Sequence, residues 1–227
     1  MRIYIHFIRL CIICLIYGII LSYIVPENIQ YNKLDISDVY IRSMNPKEKD
    51  IFPKELIEFE KYIKKDMKYF PVAYSKEKDF VEFVNSWGFE RTYGGNRIHE
   101  GTDIMGILNK RGLYPIVSST DGVVEEIGWL ELGGYRIGIR SKSGVYYYYA
   151  HLYSYAKGLE KGSEIKAGEL IGYMGDSGYS KVEGTVGNFD VHLHFGIYVL
   201  TDEYGELGIN PYYFLKSIEN NLVIYNY

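Results

Sequence analysis

The stretch VHLHFGIYV at residues 191–199 is the strongest constraint in this sequence. On a β-strand, side chains alternate between two faces. Val191, Leu193, Phe195, Ile197 and Val199 then share one apolar face that packs a core, and His192, His194, Gly196 and Tyr198 take the other. Two imidazoles project side by side from rigid backbone, with a glycine beside them leaving space. A strand of this kind needs a sheet around it, and much of the chain offers one. Short apolar segments separated by Gly-rich turns run from about residue 71 onward: Gly122–Leu130, 135–140 after Gly133-Gly134, 145–152 after Lys142-Ser143-Gly144, and Leu170–Met174. The pattern predicts an all-β, mainly antiparallel domain over 71–227, with a short helix after Asn210-Pro211.

Two further regions precede that domain. Residues 10–25, LCIICLIYGIILSYIV, are apolar and follow Arg2 and Arg9, with no acidic residue before Pro26. A positive start followed by such a run is an export signal. Counted from Ile3 it reaches the roughly 20 residues that span a bilayer, and no small-residue cleavage site follows it. We therefore expect an uncleaved signal anchor over 1–25, with the remainder of the chain outside the cytoplasm in a single-pass membrane protein; cleavage and secretion is the alternative. Residues 26–70 are expected to form a linker and then a helix opened by Pro53, with Leu56, Phe59, Ile63 and Met67 at helical spacing.

Charge and cysteine content exclude several functions. The 227 residues carry 25 Lys+Arg against 29 Asp+Glu, and no basic surplus exists to neutralise nucleic-acid phosphates. Cys11 and Cys14 lie in the apolar run and nothing after them is cysteine. Disulfides and thiolate metal ligands are therefore ruled out for the exported part. A metal there would need His, Asp or Glu.

Beyond His6, the histidines are His99, His151, His192 and His194. In HEGTD at 99–103, His99 and Asp103 stand four apart and can meet one metal from a single strand face or from a helical turn. Glu100 invites comparison with the H-E-x-x-H zinc motif, but Asp103 occupies the second histidine's place. His151 ends the strand-like YYYYAHL, where alternation puts it on one face with Val145, Tyr147 and Tyr149. A catalytic zinc site takes three N/O ligands and keeps a fourth position for water. His99, Asp103 and one of His192/His194 can supply the ligands, leaving two histidines for proton transfer. The GDSG at 175–178 echoes a serine-protease nucleophile loop, but its composition is also that of a turn.

The combination of H-x-x-x-D, a strand-end A-H-L and H-x-H resembles the lysostaphin/LytM-like family of zinc endopeptidases, which cut the peptide part of bacterial peptidoglycan. The likeness runs from about residue 85 to 214 and includes GGNRIHEGTD at 94–103 and HLHF at 192–195. It implies an antiparallel β core of the duplicated-hybrid-motif type with loops walling a narrow groove. It also implies zinc bound by His99, Asp103 and His194, with His151 and His192 as the catalytic pair. Tyr93 falls where some members place a tyrosine that stabilises the oxyanion. The implied partners are the stem or cross-link peptides of peptidoglycan. Members that have lost activity act as scaffolds in division or sporulation, binding wall peptide or a partner membrane protein, and that is the alternative function. A zinc D,D-peptidase fits less well, because its His-to-Asp interval is usually longer than the one here.

Overall fold

The computed structural model describes residues 53–74, 81–201 and 205–225. The expected anchor over 1–25 and the linker that follows lie outside the described residues. Among those described, no helix is long and apolar enough to cross a membrane. The chain runs from helix α1 (Pro53–Asp66) through β1 (Val81–Phe83), β2 (Glu90–Arg91), β3 (Arg97–Ile98), β4 (Thr102–Gly106), β5 (Pro115–Val117) and β6 (Gly122–Leu130). It continues through β7 (Gly134–Ser141), β8 (Tyr146–Tyr155), β9 (Glu164–Ile165), β10 (Leu170–Met174), β11 (His192–Thr201), β12 (Gly205–Ile209) and helix α2 (Tyr212–Ser217).

All strand pairings are antiparallel. One ten-stranded sheet runs β1-β4-β11-β8-β7-β6-β9, with β12 also on β11 and β10 joining β8 to β5; β2 and β3 form a separate ribbon. This is the mainly antiparallel architecture that the sequence pattern predicts. Strand β11 holds the middle because its odd-numbered face is apolar. Leu193, Phe195 and Ile197 are fully buried together with Tyr147, Tyr149, Ile104, Ile137 and Ile139. Phe195 packs edge-to-face on Tyr149 with ring centroids 5.2 Å apart, a geometry that adds to plain area burial.

Helix α1 closes one side of that core. Ile63 and, just past the helix end, Met67 are buried, with Phe59 packed against them. Lys64 and Lys65 occupy the last turn, where cations favour the helix dipole. The segment after Trp87-Gly88 stays outside the main sheet. It enters β2 of the small ribbon rather than a core strand, because the two-residue strand Glu90–Arg91 is charged and exposed to half-buried, with no apolar face to bury.

Candidate metal and catalytic site

Strand register builds two-thirds of the candidate metal centre. His194 is directly opposite Asp103 on β4 and opposite Ala150 on β8, so an imidazole and a carboxylate meet across one row of the sheet. His194 Nδ1 is 3.1 Å from Asp103 Oδ1. The third group, His99, arrives from neither a strand face nor a helical turn. It follows β3 in the connection to β4 and is held there by its backbone, whose N–H donates to Phe89 O while its carbonyl accepts from Gly88 N–H. Its Nε2 reaches 3.0 Å from Asp103 Oδ1 and 2.9 Å from His194 Nδ1.

His99, Asp103 and His194 thus present three ligand atoms on a nearly equilateral triangle, the one metal-competent cluster of three found among the described residues. Zinc bonds of about 2.0–2.2 Å to N and O ligands place such atoms about 3.3 Å apart. The observed triangle is slightly tighter, and two imidazoles with one carboxylate are a normal catalytic-zinc donor set. Supporting contacts fix each ligand as metal sites require. His99 Nδ1 donates to Ser86 O at 2.9 Å, leaving Nε2 unprotonated toward the centre. Arg91 Nη2 donates to Asp103 Oδ2 at 2.6 Å, and Asp103 N–H donates to Ser86 Oγ. Gly101 makes room for the ring of His194: a Cβ there would lie 2.4 Å from His194 Cε1, so a larger residue displaces the imidazole.

Burial alone would raise the Asp103 carboxyl, but the neighbouring His194 and His99 imidazoles outweigh it and hold the group well below the usual carboxylate range. Burial pushes the His194 imidazole down, against the opposing pull of Asp103. Both effects suit ligation: the carboxylate stays charged and the imidazole stays neutral.

His151 corrects the alternation argument. Tyr147 and Tyr149 point into the core, yet His151 does not follow them. Two residues of β8, Ala150 and His151, oppose the single Arg136 between the Ile137↔Tyr149 and Tyr135↔Leu152 pairs. This is a β-bulge, and His151 takes a left-handed φ of 62°. The bulge swings its ring to the opposite face, 4.7 Å from His192 and 6.0 Å from His194 between centroids. Its Nδ1 donates to Ser177 O at 2.8 Å, and His192 Nδ1 donates to Asp190 O at 2.7 Å. Each backbone carbonyl selects the same tautomer, so both rings keep an unprotonated Nε2 for the site. Burial, reinforced by the neighbouring His192 and His194, holds His151 well below the ordinary histidine value.

These groups line one groove of about 510 Å³, bounded also by Arg91, Arg97, Tyr148 and Tyr179. The 176–190 loop contributes to its wall through Tyr179. Phe189 packs on His151 and His192, and Tyr179 packs on His151. Tyr93 stacks flat on Tyr179, 4.6 Å away and 4° from parallel, and the Tyr179 ring also meets that of His151. Ser177 is fully buried; its hydroxyl donates to Leu152 O and accepts from Tyr135 N–H. It has no histidine on its oxygen and serves as a structural clasp. Glu100 is exposed, and its carbonyl accepts from the Tyr198 hydroxyl.

Residues 97–207 match the sequence profile of Peptidase family M23. Over those residues the chain resembles an M23 peptidase domain. It is 44% identical over 137 residues to the L-Ala–D-Glu endopeptidase of Bacillus subtilis (strain 168), covering 60% of this chain and 40% of that protein. It is 33% identical over 100 residues to a lysostaphin of Staphylococcus staphylolyticus, covering 43% of this chain and 18% of that protein. A solved structure from Ruminococcus gnavus ATCC 29149, provisionally named a glycyl-glycine endopeptidase LytM, superposes with a TM-score of 0.67 at 56% identity, over 73% of this chain and 65% of that one. This chain therefore spans less than half the length of the two named enzymes. All six residues singled out in the sequence (Tyr93, His99, Asp103, His151, His192 and His194) fall in or directly before the M23 match. The supporting residues Ser86 and Arg91 also precede it, and neither carries a motif that would have marked it.

Proposed function

We propose that this chain is a zinc-dependent endopeptidase that hydrolyses peptide bonds in bacterial peptidoglycan, held outside the cytoplasm by residues 1–25. The reading is carried by one observation: a His-Asp-His donor triangle beside two further imidazoles whose Nδ1 atoms are committed to backbone carbonyls. Relatives named as endopeptidases, one for an L-Ala–D-Glu bond, support the substrate class.

In this reading His99 Nε2, Asp103 Oδ1 and His194 Nδ1 hold zinc, which when bound supplies Lewis acidity toward a carbonyl and toward water. His151 and His192 move protons at Nε2: one takes the proton of the attacking water, the other, first protonated from solvent, delivers its proton to the departing amine, and loss of the first proton to solvent closes the cycle. Burial favours neutral His151, which suits the base role. Tyr93, which stacks on the groove-lining Tyr179, is assigned to the negative charge that develops on the carbonyl oxygen. Phe189 and Tyr179 exclude water from the two imidazoles. The full donor set favours hydrolysis over the scaffold alternative, which has no need of it.

The test is incubation of the purified full chain with purified wall material, with and without a chelator, and mass analysis of what is released. Fragments with new peptide termini, lost on chelation and restored by Zn²⁺, are expected. Absence of fragments, or release indifferent to chelation, contradicts the proposal.

A further inference from the structure

Among the described residues, four of five arginines are paired with an acid: Arg91 with Asp103, Arg111 with Asp176, Arg136 with Glu126 and Arg140 with Glu125. Arg97 is not. Its guanidinium is nevertheless fixed at the groove. Nε donates to Tyr93 O at 3.3 Å, Nη2 donates to the Tyr179 hydroxyl at 3.2 Å, and its carbon lies 5.8 Å over the Tyr179 ring. An arginine held by neutral acceptors loses little further freedom on gaining an anion, and its fork matches a carboxylate.

The groove's other charges leave this cation available. Arg91 and Asp103 compensate each other. Glu100 also lines the groove, but its carboxylate lies beside Gly208 and forms no ion pair with Arg97. The Tyr179 ring, which Arg97 overlies, is 5.9 Å from His151. The guanidinium is thus within about 12 Å of that imidazole, about three residues or fewer of extended peptide.

We propose that Arg97 binds a carboxylate of the substrate, so that the groove selects peptides bearing a free acid within about three residues of the bond cut. The proposal rests on the peptidase reading for its turnover, but not for its binding. The probes are a wall-type stem peptide with a glutamate beside the bond cut and the same peptide with that carboxylate converted to the amide. Both are also made with the scissile amide reduced, so that binding is read without cleavage. With the wild-type protein, the free acid should be preferred about tenfold in kcat/KM and in Kd. In Arg97→Gln the preference should fall to near one, and Arg97→Lys should retain part of it, whatever the absolute rates. A wild-type preference near one, binding of neither reduced probe, or a preference unchanged in Arg97→Gln overturns the assignment. If neither substrate is cut but the reduced probes show the Arg97-dependent preference, the peptidase reading fails while the carboxylate site stands.

Discussion

Arg91 Nη2 holds Asp103 Oδ2 at 2.6 Å while the other oxygen of that carboxylate faces His99 Nε2 at 3.0 Å and His194 Nδ1 at 3.1 Å. One carboxylate is thereby divided between a structural cation and the candidate metal centre, which favours a single-oxygen ligand with a fixed orientation. Arg91→Ala should weaken zinc affinity about 10- to 100-fold, with Arg91→Lys intermediate because an ammonium lacks the planar fork. Competition against a chromophoric chelator measures this, and an unchanged affinity would show that Arg91 does not orient the ligand.

His151 combines an unusual backbone with a chemical role, and two substitutions separate them. Both His151→Ala and His151→Gly should retain one zinc per chain and lose turnover. The glycine variant should be the more stable of the two by about 1 kcal/mol, because its φ of 62° strains only a residue with a Cβ. Metal content, turnover and denaturant midpoints are the readouts; substantial hydrolysis by either variant removes His151 from proton transfer.

Ser177 offers the contrast. Its hydroxyl joins Leu152 O to Tyr135 N–H in a fully buried position. Ser177→Ala should cost about 1–3 kcal/mol through those two unpaired backbone groups and leave the folded fraction active. Complete inactivation of a folded, zinc-loaded variant would revive the serine as a nucleophile.

Period-two patterning revealed the shared face of His192 and His194, because β11 is regular and one of its faces is wholly apolar. The same rule misplaced His151, since a bulge changes which way a side chain points and GYR and YAHL carry no sign of one. It also could not show that Asp103 pairs with His194, a contact between residues 91 apart that depends on sheet order. His99 was visible as a residue type but not in its setting: the Ser86 carbonyl that fixes its tautomer is backbone, and backbone acceptors leave no trace in side-chain identity. Arg91 was hidden for a different reason, because a surface-type arginine in a two-residue strand looks like solvated charge until Asp103 is placed beside it.

The anchor expectation is independent of the site. Arg2 and Arg9 ahead of a long apolar run predict that the full-length protein sediments with membranes and resists extraction by high salt or alkaline carbonate. Recovery mainly as a shortened soluble form would establish cleavage instead.

The most direct measurement is an anomalous difference map at the zinc edge from crystals of the full chain loaded with one equivalent of Zn²⁺. A single peak within bonding distance of His99 Nε2, Asp103 Oδ1 and His194 Nδ1 is predicted. A protein that takes up no zinc, or a peak ligated by other side chains, would contradict the metal centre on which the hydrolase account depends.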